Sequence, residues 1–146
     1  MLPTTIDGTG VLSTQILQEY FAVATRKLGV DAIIGHHGHA AQGFGHLNDI
    51  PVLWGLGNLF FGTPGRFGHD KMQPGHGLLA RMVIRNGEIQ RFELVPIMLN
   101  NRLVKFQPRL CTVDESRRVL ASLASRGGAS IRFVGGVGIL SPRPAK

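Results

Sequence analysis

The chain has little with which to cross-link itself, to balance positive charge or to cross a membrane. One cysteine, Cys111, stands in 146 residues, which excludes an internal disulfide and leaves a small side chain suited to a buried or half-buried place. Nine Asp and Glu face sixteen Lys and Arg, for a net charge of +7, so anionic partners are favoured over cationic ones. Aromatics make up 7% of the residues, with one Trp and one Tyr, and no dense basic run alternates with them, so the charge alone carries no nucleic-acid reading. Arg117-Arg118 reads as a solvated helix face. No run approaches the ~18 apolar residues of a membrane span, and no basic-then-apolar leader opens the sequence as written. At 43% hydrophobic, the chain is that of one globular domain long enough to bury a core.

Histidine, by contrast, is concentrated. Three of the six fall in Gly35-His36-His37-Gly38-His39, directly after the apolar run Val30 to Ile34. A strand delivering imidazoles into the loop beyond it is the arrangement by which α/β sheets build sites at strand carboxyl ends, and imidazole is the commonest ligand for transition metals. In extended chain His37 and His39 share a face, with Cα atoms about 6.6 Å apart. A tighter turn brings them within reach of one metal, or of two ions roughly 3.5–4 Å apart. His36 faces the other way, where it can bond a neighbour or orient the loop. Gly35 and Gly38 add no bulk and let the backbone bend.

Along the rest of the chain, residues 1–12 read as an irregular start. Ser13 caps a helix to about Leu28 with Leu17, Tyr20, Phe21, Ala24 and Leu28 on one stripe. Val30 to Ile34 reads as a fully buried strand. Gln42 to Leu47 and Pro51 to Trp54 are two extended segments around an Asn48-Asp49 turn. In Gly55-Leu56-Gly57-Asn58-Leu59-Phe60-Phe61, Leu56, Leu59 and one phenylalanine are expected in the core. Asn58 is then either a structural clamp or a site-facing group, because a buried amide must find partners.

Gly62 to Gly77 is a long Gly/Pro-punctuated loop, a lid or a plain connector. Leu78 to Arg85 and Glu88 to Pro96 form a hairpin about Asn86-Gly87. Arg102 to Phe106 is expected as a further extended stretch. Thr112 or Asp114 opens an amphipathic helix to about Ser125, with Val119, Leu120 and Leu123 inward, ended by Gly127-Gly128. Beyond it one strand, Ile131 to Val134, is expected in a Gly/Pro-containing tail, 127–146.

The order helix, strand, GHHGH, hairpin, GLGNLFF, hairpin, helix resembles the C-terminal portion of the CapA-type capsule (poly-γ-glutamate) biosynthesis proteins, within the calcineurin-like metallophosphoesterase superfamily. Residues 29–39, GVDAIIGHHGH, are similar to that family's "GADVVIGHHPH", with Gly38 where proline is usual. Gln42-Gly43, Ile50-Pro51-Val52 and Gly55 to Phe60 are similar to its "Q…GKPIFYSLGNFVF". The likeness spans residues 13–126, and it implies an α/β fold: the C-terminal part of a layered αββα sandwich, a mixed sheet with β-hairpins and two main helices.

It further implies a divalent centre of the Mn, Fe or Zn type, with His37 and His39 as metal ligands and His36 and Asn58 as catalytic residues lining the same site. The substrate class implied is a phosphate ester or anionic polymer, and the location of full-length members is the cell surface or periplasm. The carboxylates that such a centre needs come, in that superfamily, from Gly-Asp, Asn-Leu-Glu-like and Gly-Asn-His-like segments absent from this sequence. The expectation is therefore half of an active site, from a truncated or frameshifted frame or with its other half on a separate chain, inactive or nearly so alone, and with an uncovered sheet edge that invites self-association. Two other readings stand beside it: a non-enzymatic basic module that holds an acidic polymer, and a single-metal enzyme whose third ligand is His69, Asp70 or His76.

Overall fold

The computed structural model describes residues 29–36, 38–60, 62 and 75–143. The chain divides into two units, Met1–Val30 and Asp31–Lys146. Of the first, only Gly29 and Val30 are described, so the expected helix from Ser13 lies outside the described residues. So do His37, Phe61, His69 and Asp70.

Within the second unit the architecture is mixed α/β, as the sequence pattern implies. A three-stranded sheet is built from β1 (Ile33–Ile34), β2 (Phe44–Leu47) and β3 (Ile50–Leu53), in the order β1-β3-β2. β2 and β3 form the expected hairpin, with Leu47 opposite Ile50. Asn48 and Asp49 take φ of 49° and 64°, the left-handed pair that a two-residue hairpin turn requires. β1 lies parallel to β3, Ile33 beside Val52 and Ile34 beside Leu53.

β1 departs from the fully buried strand expected over Val30 to Ile34. Only two residues pair, Asp31 is exposed and Ile34 is 45% exposed. Among the described residues β1 is the sheet edge, so one of its sides has no neighbouring strand to bury it.

The second sheet has the long hairpin of β4 (His76–Arg85) and β5 (Glu88–Met98) at its heart. Asn86 and Gly87 make the turn with φ of 53° and 79°. β5 also pairs with the short β6 (Arg109–Leu110) and with β8 (Val137–Leu140), and β8 pairs with β7 (Arg132–Val134). The tail after Gly128 is therefore not a plain tail. Gly135-Gly136, at φ of 54° and 85°, turn β7 into β8, and Leu140 is fully buried opposite Phe92. The expectation of a single strand there missed β8, because a four-residue strand between Gly-Gly and Ser-Pro carries almost no period of its own.

Residues 102–106 are a second correction. They form not a strand but the helical turn α1 (Asn101–Val104). The Asn100 side chain accepts from the Arg102 N–H at 3.1 Å, and Lys105 and Phe106 follow in the left-handed region. A local side-chain cap outcompetes an apolar pattern five residues long. α2 (Val113–Gly127) follows the sequence reading closely. Thr112 and Glu115 form a reciprocal capping box, and Arg109 clasps the Glu115 carboxylate at 2.7 and 2.9 Å. Those contacts hold the Glu115 carboxyl down at about 2. Leu120 and Leu123 are buried and Val119 half-buried.

One core joins both sheets and α2. It gathers Phe44 and Leu53 from the first sheet, Leu78, Phe92, Leu94 and Leu140 from the second, and Leu120 and Leu123 from the helix. Each such side chain contributes roughly 1.5–3 kcal/mol on leaving water. Leu56 packs against this core, but Leu59 is 60% and Phe60 58% exposed, which corrects the core assignment of Leu59. Cys111 is half-buried, and burial pushes its thiol up to about 11, so it is no reactive thiolate.

Candidate functional site

Because β1 and β3 run parallel, their carboxyl ends lie side by side, and so do the segments that follow them. The histidine loop leaves β1, and Trp54 to Asn58 leaves β3. Main-chain bonds zip the two together. The Gly35 N–H donates to the Leu53 carbonyl (2.7 Å), the Gln42 N–H to Gly55 (2.9 Å) and the Leu56 N–H to Gly35 (3.3 Å), while Ala41 bridges Leu56. The approach is close enough that a Cβ on Gly35 would sit 2.2 Å from the Trp54 carbonyl oxygen. Only glycine fits there. The glycine spacing of both motifs thus reads as the condition for bringing one loop against the other.

At the end of this zipper Asn58 meets His39. The His39 Nδ1 lies 2.8 Å from Asn58 Oδ1, and the Asn58 amide nitrogen donates to the His39 carbonyl at 3.2 Å. This pair of contacts fixes the proton. A backbone carbonyl only accepts, so the Asn58 NH₂ must face it, and Oδ1 is left to face the ring. Nδ1 therefore carries a hydrogen, so the neutral form of the ring is the tautomer with its lone pair on Nε2. His39 itself takes a φ of 52°, a region that non-glycine residues enter at some cost, and the Asn58 clamp holds it there.

Of the two roles that the sequence leaves to Asn58, clamp and site-facing group, the hydrogen bonds to His39 are those of a clamp. Asn58 is half-buried and it clamps an exposed histidine. His36 is exposed. His76 opens β4 and is half-buried. Burial is the main cause of its lowered pKa, and the charges that act on it are those of Glu115, Arg109 and Arg118.

The donor set can be tested against a divalent ion. A Zn, Mn or Fe centre takes four or more donors, with carboxylate oxygens among them where two ions are bridged. Among the described residues no group of three or more His, Cys, Asp or Glu gathers in such a way. The described residues alone therefore do not fit a whole metal centre. They do present one imidazole whose second nitrogen is tied to an oxygen acceptor, the arrangement that orients metal-ligating histidines.

A family model described as bacterial capsule synthesis protein PGA_cap matches residues 13–63. That stretch takes in both the GHHGH and the GLGN motifs and ends before the five-stranded sheet. The chain is similar to this family over a partial domain, a shorter stretch than the likeness over 13–126 implies. No curated protein matches the chain.

Proposed function

We propose that this chain, which carries part of the domain of the bacterial capsule synthesis proteins, supplies the imidazole side of a divalent hydrolytic centre for an anionic polymer or phosphate ester. His37 and His39 are the ligands in this reading. Asn58 holds the His39 ring in the tautomer that offers Nε2, and His36 stands at the same strand end toward substrate. When bound, a pair of divalent ions activates a water and neutralises phosphate-ester oxygens. In this reading the carboxylates come from outside residues 1–146, since the segments that carry them in that superfamily are absent from this sequence. The observation that carries the reading is the double contact between Asn58 and His39, which a merely solvated histidine loop has no need of.

Nitrogen-15 NMR of the His39 ring tests it. The wild type is expected to show a protonated Nδ1 and an unprotonated Nε2 at pH 8. Asn58→Ala is expected to return the ring to the ordinary mixture in which Nε2–H predominates, at a cost of about 1 kcal/mol for the lost hydrogen bond. A wild-type ring already dominated by Nε2–H contradicts the assigned role of Asn58.

A further inference from the structure

A second chemical feature lies on the five-stranded sheet, and the histidine loop has no part in it. The β4–β5 register breaks between Val83 and Ile84. Val83 lies opposite Arg91 and Ile84 opposite Ile89, so Gln90 is an extra, unpaired residue on β5. Such a bulge re-aims the side chains beside it, and bulges recur next to binding sites. Here it opens onto a groove of about 470 Å³ whose walls include Gln90, Arg91, Ser130, Arg132, Ile139 and Ser141. The volume falls in the range of small-ligand pockets. Its lining has two guanidinium groups, two hydroxyls and an amide, and no carboxylate.

The two arginines differ in a useful way. Arg91 is preset. Its Nε donates to Glu93 Oε1 at 2.8 Å and its Nη2 lies 2.7 Å from the same oxygen. The other carboxylate oxygen is taken by Arg81, Nε at 2.6 Å and Nη2 also in contact. Glu93 is 5% exposed, and the hydrogen bonds from Arg81 and Arg91 hold its carboxyl below the usual range. A buried carboxylate thus anchors the Arg91 guanidinium from one side and leaves its Nη1 donors uncommitted to it. Arg132 is exposed, and among the described residues its guanidinium takes part in none of the salt bridges. It sits opposite Ile139, which sits opposite Glu93, so the β-ladder places it on the same sheet face as Arg91. The Ser141 hydroxyl oxygen accepts from the Arg143 N–H at 3.3 Å, which leaves its proton to donate. Three arginines against one carboxylate give this face a local charge of +2.

We infer that this groove binds an organic or inorganic oxyanion, carboxylate or phosphate, between Arg91 and Arg132, with Gln90 and Ser141 as further donors. Planar guanidinium groups match both oxyanions with paired N–H donors. The inference is independent of the metal-centre reading and survives its failure.

Titration of the whole chain followed by amide NMR, with inorganic phosphate in one arm and hexaglutamate in the other, tests it. Saturable shifts confined to Gln90, Arg91, Ser130, Arg132 and Ser141 are expected in at least one arm, and the arm that responds identifies the oxyanion. Arg132→Gln is expected to weaken that binding about 10-fold, the worth of one charge-assisted contact. Arg102→Gln, an equal change of net charge at an exposed position of α1, is expected to leave it within twofold. Shifts spread over the whole basic surface, equal losses in both variants, or no response in either arm would overturn the site.

Discussion

Gly127→Ala is expected to cost about 3 kcal/mol of stability, read as a lowered urea midpoint at unchanged slope. Helix propensity argues the other way. Gly127 is the last residue of α2, and replacing a helical glycine by alanine ordinarily gains up to about 1 kcal/mol. Packing decides the sign. A Cβ at Gly127 would lie 1.9 Å from the Phe44 carbonyl oxygen and 2.3 Å from its nitrogen. Both atoms belong to backbone that β2 commits to its ladder with β3, so neither can rotate aside. Phe44 is fully buried in the core shared by both sheets, and shifting it disturbs Leu53 and Leu123 as well. A neutral or stabilising Gly127→Ala would mean that the α2–β2 crossing is looser than described.

Gly77→Ala is expected to damage the candidate site as well as the fold. Its Cβ would fall 1.9 Å from the Asn58 carbonyl oxygen and 3.1 Å from Leu99 Cδ1. The residue next to it, Leu78, donates its N–H to the Leu56 carbonyl at 2.8 Å, so β4 holds the whole Leu56–Asn58 segment in place. Pushing that segment outward costs about 2–3 kcal/mol and pulls Asn58 off His39. The variant should therefore lose the protonated Nδ1 signature just as Asn58→Ala does. Gly62→Ala, where an added Cβ meets nothing within 4 Å, should change stability by less than about 0.5 kcal/mol. Intact His39 chemistry in a folded Gly77→Ala protein would show that β4 does not position the site.

Much of this was legible in the residues, and what was not has identifiable causes. Asn48-Asp49 and Asn86-Gly87 are turns that demand positive φ, so both hairpins could be placed from four letters. The start of α2 was narrowed to Thr112 or Asp114, and the capping box between Thr112 and Glu115 makes it Thr112. α1 was missed because Asn100 supplies a cap that matters only once the chain has turned there. β8 was missed because its signal is tertiary. Its buried face is defined by Phe92 and Leu94 on β5, some 45 residues earlier.

The site was half legible. The histidines and Asn58 stood out as polar groups among small and apolar neighbours. Their meeting depended on β1 and β3 being parallel neighbours, a pairing that no local pattern encodes. The groove at the β5 bulge gave no sequence signal at all, because Gln90, Arg91 and Arg132 come together only through the ladder from β5 across β8 to β7.

The measurement that bears most directly on the proposed centre is the metal affinity of the purified chain, by elemental analysis and Mn²⁺ and Zn²⁺ titration, beside the His37→Ala/His39→Ala double variant. The imidazole-side account predicts weak, substoichiometric binding by the chain alone that falls further in the double variant, since two imidazoles without carboxylates hold a divalent ion loosely. Tight one-to-one binding that the double variant abolishes would contradict it, by showing that this chain completes the centre without outside ligands. Binding indifferent to both histidines would contradict it from the other side, by removing His37 and His39 from the metal altogether.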